Sequence, residues 1–161
     1  RKVRTTLQVA CQLRFETLDD LRTELERLAS GEVKTLGNWS LAQLFTHLAA
    51  GFNSVLDGSS FKAPWFFKLM APFMKKKFLY GAIPSGFNIP KEAEAQFLPS
   101  DDADTQAAKD ELLAAISRVD SAADGDLAPH PMFDKLSKEE SIQFHLRHAE
   151  MHLSFAIPAA G

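Results

Sequence analysis

Two capping boxes, nearly a hundred residues apart, set where helices must begin in this chain. Ser40-Leu41-Ala42-Gln43 and Ser137-Lys138-Glu139-Glu140 each pair a cap hydroxyl with a Gln or Glu three residues on. The two side chains can satisfy each other's free backbone N–H groups. Trp39 and Leu44 flank the first box as a hydrophobic staple. Thr17-Leu18-Asp19-Asp20 is a third start signal, with Ser30-Gly31 as its stop.

Behind these starts the apolar residues recur at the helical period. The first predicted helix, to about Ala29, carries Leu18, Leu21, Leu25 and Leu28 on one stripe. The second, to Asp57 before Gly58, carries Leu41, Leu44, Phe45, Leu48, Phe52, Val55 and Leu56, with His47 on a flank beside Gln43, Gly51 and Ser54. A third is predicted from about Asp104 to Ser121 on Ala108, Leu112, Ala115, Ile116 and Val119. The fourth should run from Ser137 to about Ala156 before Pro158, with Ile142, Leu146, Ala149, Leu153 and Ala156 facing the core. Glu139, Gln143, Arg147, Glu150 and Ser154 then fall on its solvent side.

The fold class is therefore all-α, with 161 residues and 45% hydrophobic content suiting one domain, 1–161. Residues 58–104 form a connection too long for a tight turn. Trp65 to Phe78 is apolar almost all round, and Pro72 should break it into two short helical pieces packed across the other helices, followed by a loop through Gly81, Pro84, Gly86 and Pro90. Antiparallel neighbours need only short loops, so this length suggests a crossover between parallel helices.

Residues 1–16 are expected as an extended arm. The chain begins Arg1-Lys2-Val3-Arg4 without methionine, and Leu7 to Cys11 is too short for an export signal's apolar region. A cytoplasmic protein is the expectation, with export left open. The lone Cys11 cannot form an internal disulfide. A formal charge of −3 makes no case for nucleic acid, and no run approaches the roughly 18 apolar residues of a transmembrane segment.

Chemistry-bearing residues concentrate in Arg147-His148-Ala149-Glu150-Met151-His152-Leu153. Imidazoles at i and i+4 project from one helix face and can share an ion, with a third ligand from another helix, such as His47. His145 with His148 is the competing pair, whereas His145 and His152 stand about 10 Å apart along the axis. A zinc protease needs Glu directly after the first His, and Ala149 fills that position. The bland reading is of boundary histidines bonded to their neighbours, and His47 is not forced inward by its helix face.

Gly37-Asn38-Trp39-Ser40-Leu41-Ala42-Gln43-Leu44-Phe45-Thr46-His47-Leu48-Ala49, followed by His130-Pro131-Met132-Phe133-Asp134-Lys135-Leu136-Ser137 and the His148 to His152 segment, resembles the DinB/YfiT-like superfamily of metal-dependent enzymes, closest to a branch of unknown function. The resemblance implies a four-helix bundle of up-down-down-up topology, and a metal held by His47, His148 and His152. Related sequences often carry His just before the last ligand and Gln shortly after it. Here Met151 and Ser154 or Phe155 stand there, which makes the surroundings more apolar.

Three imidazoles leave coordination positions open on a divalent ion, Zn²⁺ or Ni²⁺ by ligand type. Characterised members of the superfamily include enzymes that use a low-molecular-weight thiol. The resemblance thus implies metal-assisted thiol-dependent transfer or hydrolysis on a small substrate. The general acid or base is unassigned. His145 and Glu150 are candidates to support the ligands, and Phe66, Phe67, Met70, Phe73 and Met74 to wall an apolar pocket. The rival is a non-enzymatic helical interaction module with vestigial or structural histidines, in which Trp65 to Tyr80 and Lys62, Lys68, Lys75, Lys76 and Lys77 meet a membrane or a partner. A homodimer through exposed aromatics is compatible with either reading.

Overall fold

The computed structural model describes residues 13–86 and 88–159. Most of the expected arm, with Cys11, lies outside the described residues. The rest is mostly helical: α1 (Leu18–Ala29), α2 (Leu41–Asp57), α3 (Trp65–Tyr80), α4 (Glu94–Phe97), α5 (Thr105–Ser121) and α6 (Lys138–Leu153). Two short strands, β1 (Val33–Thr35) and β2 (Ala156–Pro158), pair antiparallel.

The start signals act as expected. Thr17, Ser40 and Ser137 each accept a bond from the third helical N–H, and the side chains of Asp20, Gln43 and Glu140 each accept one from the cap residue's own N–H. Asp104 caps α5 by accepting from the Ala107 N–H at 2.9 Å. Gly58 ends α2 at φ 81°, a conformation that disfavours any side chain. Leu21, Leu25, Leu28, Leu112 and Ile116 are fully buried in the shared core, as their stripes require.

Hydrogen bonds fix the directions of the long helices. Gln43 at the start of α2 reaches the Ser100 carbonyl and Asp101 just ahead of α5, while Arg118 near the end of α5 holds Asp57 at the end of α2. These two helices therefore run the same way, and they share more contact than any other pair. Lys109 to Glu26 and Arg22 to Asp120 set α1 antiparallel to α5. The residues that meet between α2 and α6, His47 with His148 and Gly51 with His145, run in opposite order. The long connection is thus a crossover between parallel helices.

Four expectations are corrected. Pro72 does not break the connection's apolar stretch, because α3 is continuous from Trp65 to Tyr80 with Pro72 inside it. The cost is a missing bond to the Lys68 carbonyl, tolerable where Lys68 and Pro72 are exposed and water can serve it. The loop after Gly81 also carries a 3₁₀ turn (Lys91–Ala93) and α4. Helix α6 stops at Leu153, three residues early. Its continuation is drawn into the strand pair Val33↔Pro158, Lys34↔Ile157 and Thr35↔Ala156, extended by Leu36 N–H to Phe155 O at 2.8 Å and Ala159 N–H to Glu32 O at 2.8 Å.

The last correction concerns the face of α6 assigned to solvent. Arg147 is fully buried and Glu150 only 8% exposed, because the segment ahead of α1 covers them. The Glu150 carboxylate accepts from the Phe15 N–H at 2.7 Å and from Arg147 at 2.8 Å, and Arg147 also donates to the Phe15 carbonyl. A buried charge paired with an opposite one and held to backbone is tolerated, whereas either charge alone would not be, although Arg147 Nε has no hydrogen-bond partner among the described residues.

Candidate metal centre

The antiparallel packing of α2 against α6 brings three histidines together. His47 Nε2 lies 3.4 Å from His148 Nε2, and His152 Nε2 lies 3.0 Å from the same atom. One ligand atom from each of the three falls within 4.8 Å of the others. Nitrogens around a tetrahedral ion at 2.0–2.1 Å are separated by about 3.3 Å, so the spacing is near what one ion needs.

His47 is the best oriented of the three. Its Nδ1 lies 2.8 Å from the carbonyl of Phe97 at the end of α4. A carbonyl only accepts, so Nδ1 must carry the hydrogen and Nε2 is left as a bare donor pair. The long connection thus supplies the atom that aims a residue of α2. Trp39 covers the other side, its ring 4.9 Å from that of His47 and stacked at 5.9 Å on His152. The staple at the helix start is also the wall of the site.

Burial keeps these rings neutral. It lowers His47, against a smaller opposing pull from the Phe97 carbonyl, and lowers His148 well below the ordinary value. His152 is pushed down to about 3, by burial first and then by neighbouring His47. Neutral imidazoles are the form in which histidine binds metal. With no carboxylate among them, three converging nitrogens are a donor set suited to a cation.

His145 does not join the three Nε2 atoms. It sits 6% exposed, its ring 6.2 Å from that of His148, and burial pushes it down to about 3. Its Nδ1 and that of His148 are sealed and have no hydrogen-bond partner among the described residues. Both flank Gly51, where an added Cβ would lie 3.5 Å from His145 Nδ1 and 3.8 Å from His148 Nδ1.

The other expected site residues lie elsewhere. Glu150 is engaged with Arg147 and Phe15. Phe66, Met70 and Phe73 are exposed and Phe67 and Met74 partly so. His130 belongs to a turn: its Nδ1 accepts from the N–H groups of Met132 and Phe133 at 3.1 and 3.2 Å, and burial holds it down at about 4. Surface hollows of about 380 and 270 Å³ are lined by no histidine.

Sequence reasoning missed the parts played by Trp39, Gly51 and the Phe97 carbonyl. Trp39 was visible only as a staple. The other two act through backbone, which leaves no signature in a side-chain pattern.

A mostly helical protein with three histidines of two antiparallel helices converging on one point is the class that fold and site define. The chain belongs to the family described as protein of unknown function (DUF1569), whose model matches residues 8–159. No curated protein and no solved structure matches it.

Proposed function

We propose that the chain is a single-domain, metal-binding four-helix bundle of the DinB-like kind, α1, α2, α5 and α6 running up, down, down and up, with His47, His148 and His152 as ligands. The observation that carries this reading is the convergence of three Nε2 atoms, with the His47 proton held on the opposite nitrogen by Phe97. Hydrogen bonding of the far ring nitrogen is how proteins orient a ligating histidine. Three protein ligands leave a coordination position free, as in catalytic rather than structural sites.

A divalent ion there, Zn²⁺ or Ni²⁺ by ligand type, would supply Lewis-acid activation of a small nucleophile such as water or a low-molecular-weight thiol. The chain's own residues hold and shield it. Trp39 keeps water from one side of His47 and His152, and His145 lines the far side of His148 next to Gly51. Metal-assisted transfer or hydrolysis on a small substrate follows as the class of reaction.

The test is metal content and affinity of tag-free protein against His47→Ala and His148→Ala. Stoichiometric Zn²⁺ or Ni²⁺ in the parent, and loss of at least about a hundredfold in affinity in each variant, is the expected outcome. Equal binding by parent and variants would sink the site. In metal-loaded protein, turnover that requires added thiol supports transfer, and its absence leaves hydrolysis as the reading to assay.

A further inference from the structure

Helix α3 turns its apolar face away from the protein. Trp65, Leu69, Phe73 and Tyr80 follow one another by four, four and seven residues along one stripe, with Phe66 and Met70 beside them. All six are exposed, Trp65 at 73% and Phe73 at 86%. Phe78 and Leu79 turn the other way and are buried, and Lys75 pairs with Glu140 of α6 at 2.5 Å. The helix is therefore fastened along its inner side and at its C-terminal end, leaving a contiguous aromatic face uncovered. Patches of this kind on a surface helix mark a binding surface.

Charge identifies the occupant. From Gly58 to Lys91 there is no Asp or Glu, although the chain as a whole carries −3. Besides Lys75 the segment holds Lys62, Lys68, Lys76, Lys77 and Lys91, all exposed and absent from every ion pair among the described residues. Two copies of such a face would repel each other. An anionic surface would be attracted, and lysines around an outward row of Trp, Phe, Leu and Tyr suit a helix lying in the interface of an anionic bilayer. Among the described residues no helix is long and apolar enough to cross a membrane.

We infer that α3 is a peripheral docking helix for anionic lipid, with Trp65, Leu69 and Phe73 entering the headgroup boundary and Lys68, Lys76 and Lys77 meeting lipid phosphates. The low amphipathicity of its sequence has a simple origin: the inner side is apolar to face the protein, and the outer side is apolar to face lipid. Pro72 does not interrupt the surface because the helix continues through it.

Sedimentation of the full chain with vesicles tests this, using phosphatidylcholine alone and phosphatidylcholine mixed with phosphatidylglycerol. Binding only to the mixed vesicles is expected, weakening with added salt. Each of Lys76→Gln and Lys77→Gln should cost about fivefold. Phe73→Ser should cost roughly tenfold or more, and its exposure makes loss of folding no concern. Trp65 fluorescence should shift to the blue on binding, a shift removed by Trp65→Phe. Failure to bind the anionic vesicles overturns the proposal. So does binding indifferent to Phe73→Ser, which would be charge alone. A dimer in light scattering that Phe73→Ser dissolves would give the face to a second copy instead.

Discussion

His148 must keep one proton on one of two ring nitrogens, and its neighbours constrain which. Its Nε2 faces His47 and His152 at 3.4 and 3.0 Å, so an ion there forces the proton to Nδ1, which sits sealed beside Gly51. Gly51→Ala separates two effects. In a helix interior the alanine should leave stability equal or raise it by up to about 1 kcal/mol. Its methyl would stand in ordinary contact with the nitrogens of His145 and His148 and take the place of any water serving them, so ion affinity should fall by about tenfold, measured by competition with a chelating dye. At this scale the sequence was legible in part. The three histidines that converge were singled out by spacing and resemblance, yet nothing in the pattern shows that His47 turns inward. Arg147 and Glu150 misled because long charged side chains are normally surface residues, and a helical wheel carries no knowledge of the Phe15 segment that covers them.

The capped helix starts were readable to within a residue, since caps and stripes are local chemistry. What was not readable depends on partners distant in sequence. Val33-Lys34-Thr35 is too short to show a strand's alternation, and becomes one only because residues after α6 arrive beside it. Pro72 was overruled by its surroundings: Phe78, Leu79 and the Lys75 to Glu140 pair hold α3 against α6 strongly enough to keep the helix intact across a missing bond. Pro72→Ala should restore that bond to the Lys68 carbonyl. Amide exchange in 68–76 should slow by at least tenfold, with a small rise in melting temperature, because an interior proline costs about 3 kcal/mol of helix. Unchanged exchange would mean that α3 is held wholly by its contacts.

Across the whole molecule, all five histidines are shifted the same way. Burial favours their neutral forms, to about 4 for His130 and about 3 for His145 and His152, from an ordinary value of 6.5. The unfolded chain therefore binds protons more readily, and stability is full above pH 6.5 and falls as pH drops toward the folded values. For His130 alone the loss between pH 7 and pH 5 is about 2 kcal/mol. Urea unfolding of metal-free protein should show at least that fall, and His130→Asn should reduce it. A flat profile over this range would contradict the burial of these rings. The bond from His47 Nδ1 to the Phe97 carbonyl joins the site to the crossover. Linkage is reciprocal: whatever the proposed ion would gain from a settled crossover, the crossover would gain from the ion. A chelator should therefore loosen 91–97 well before it disturbs α1 or α5, and the crossover would act as the protein's own indicator of whether its histidines are filled.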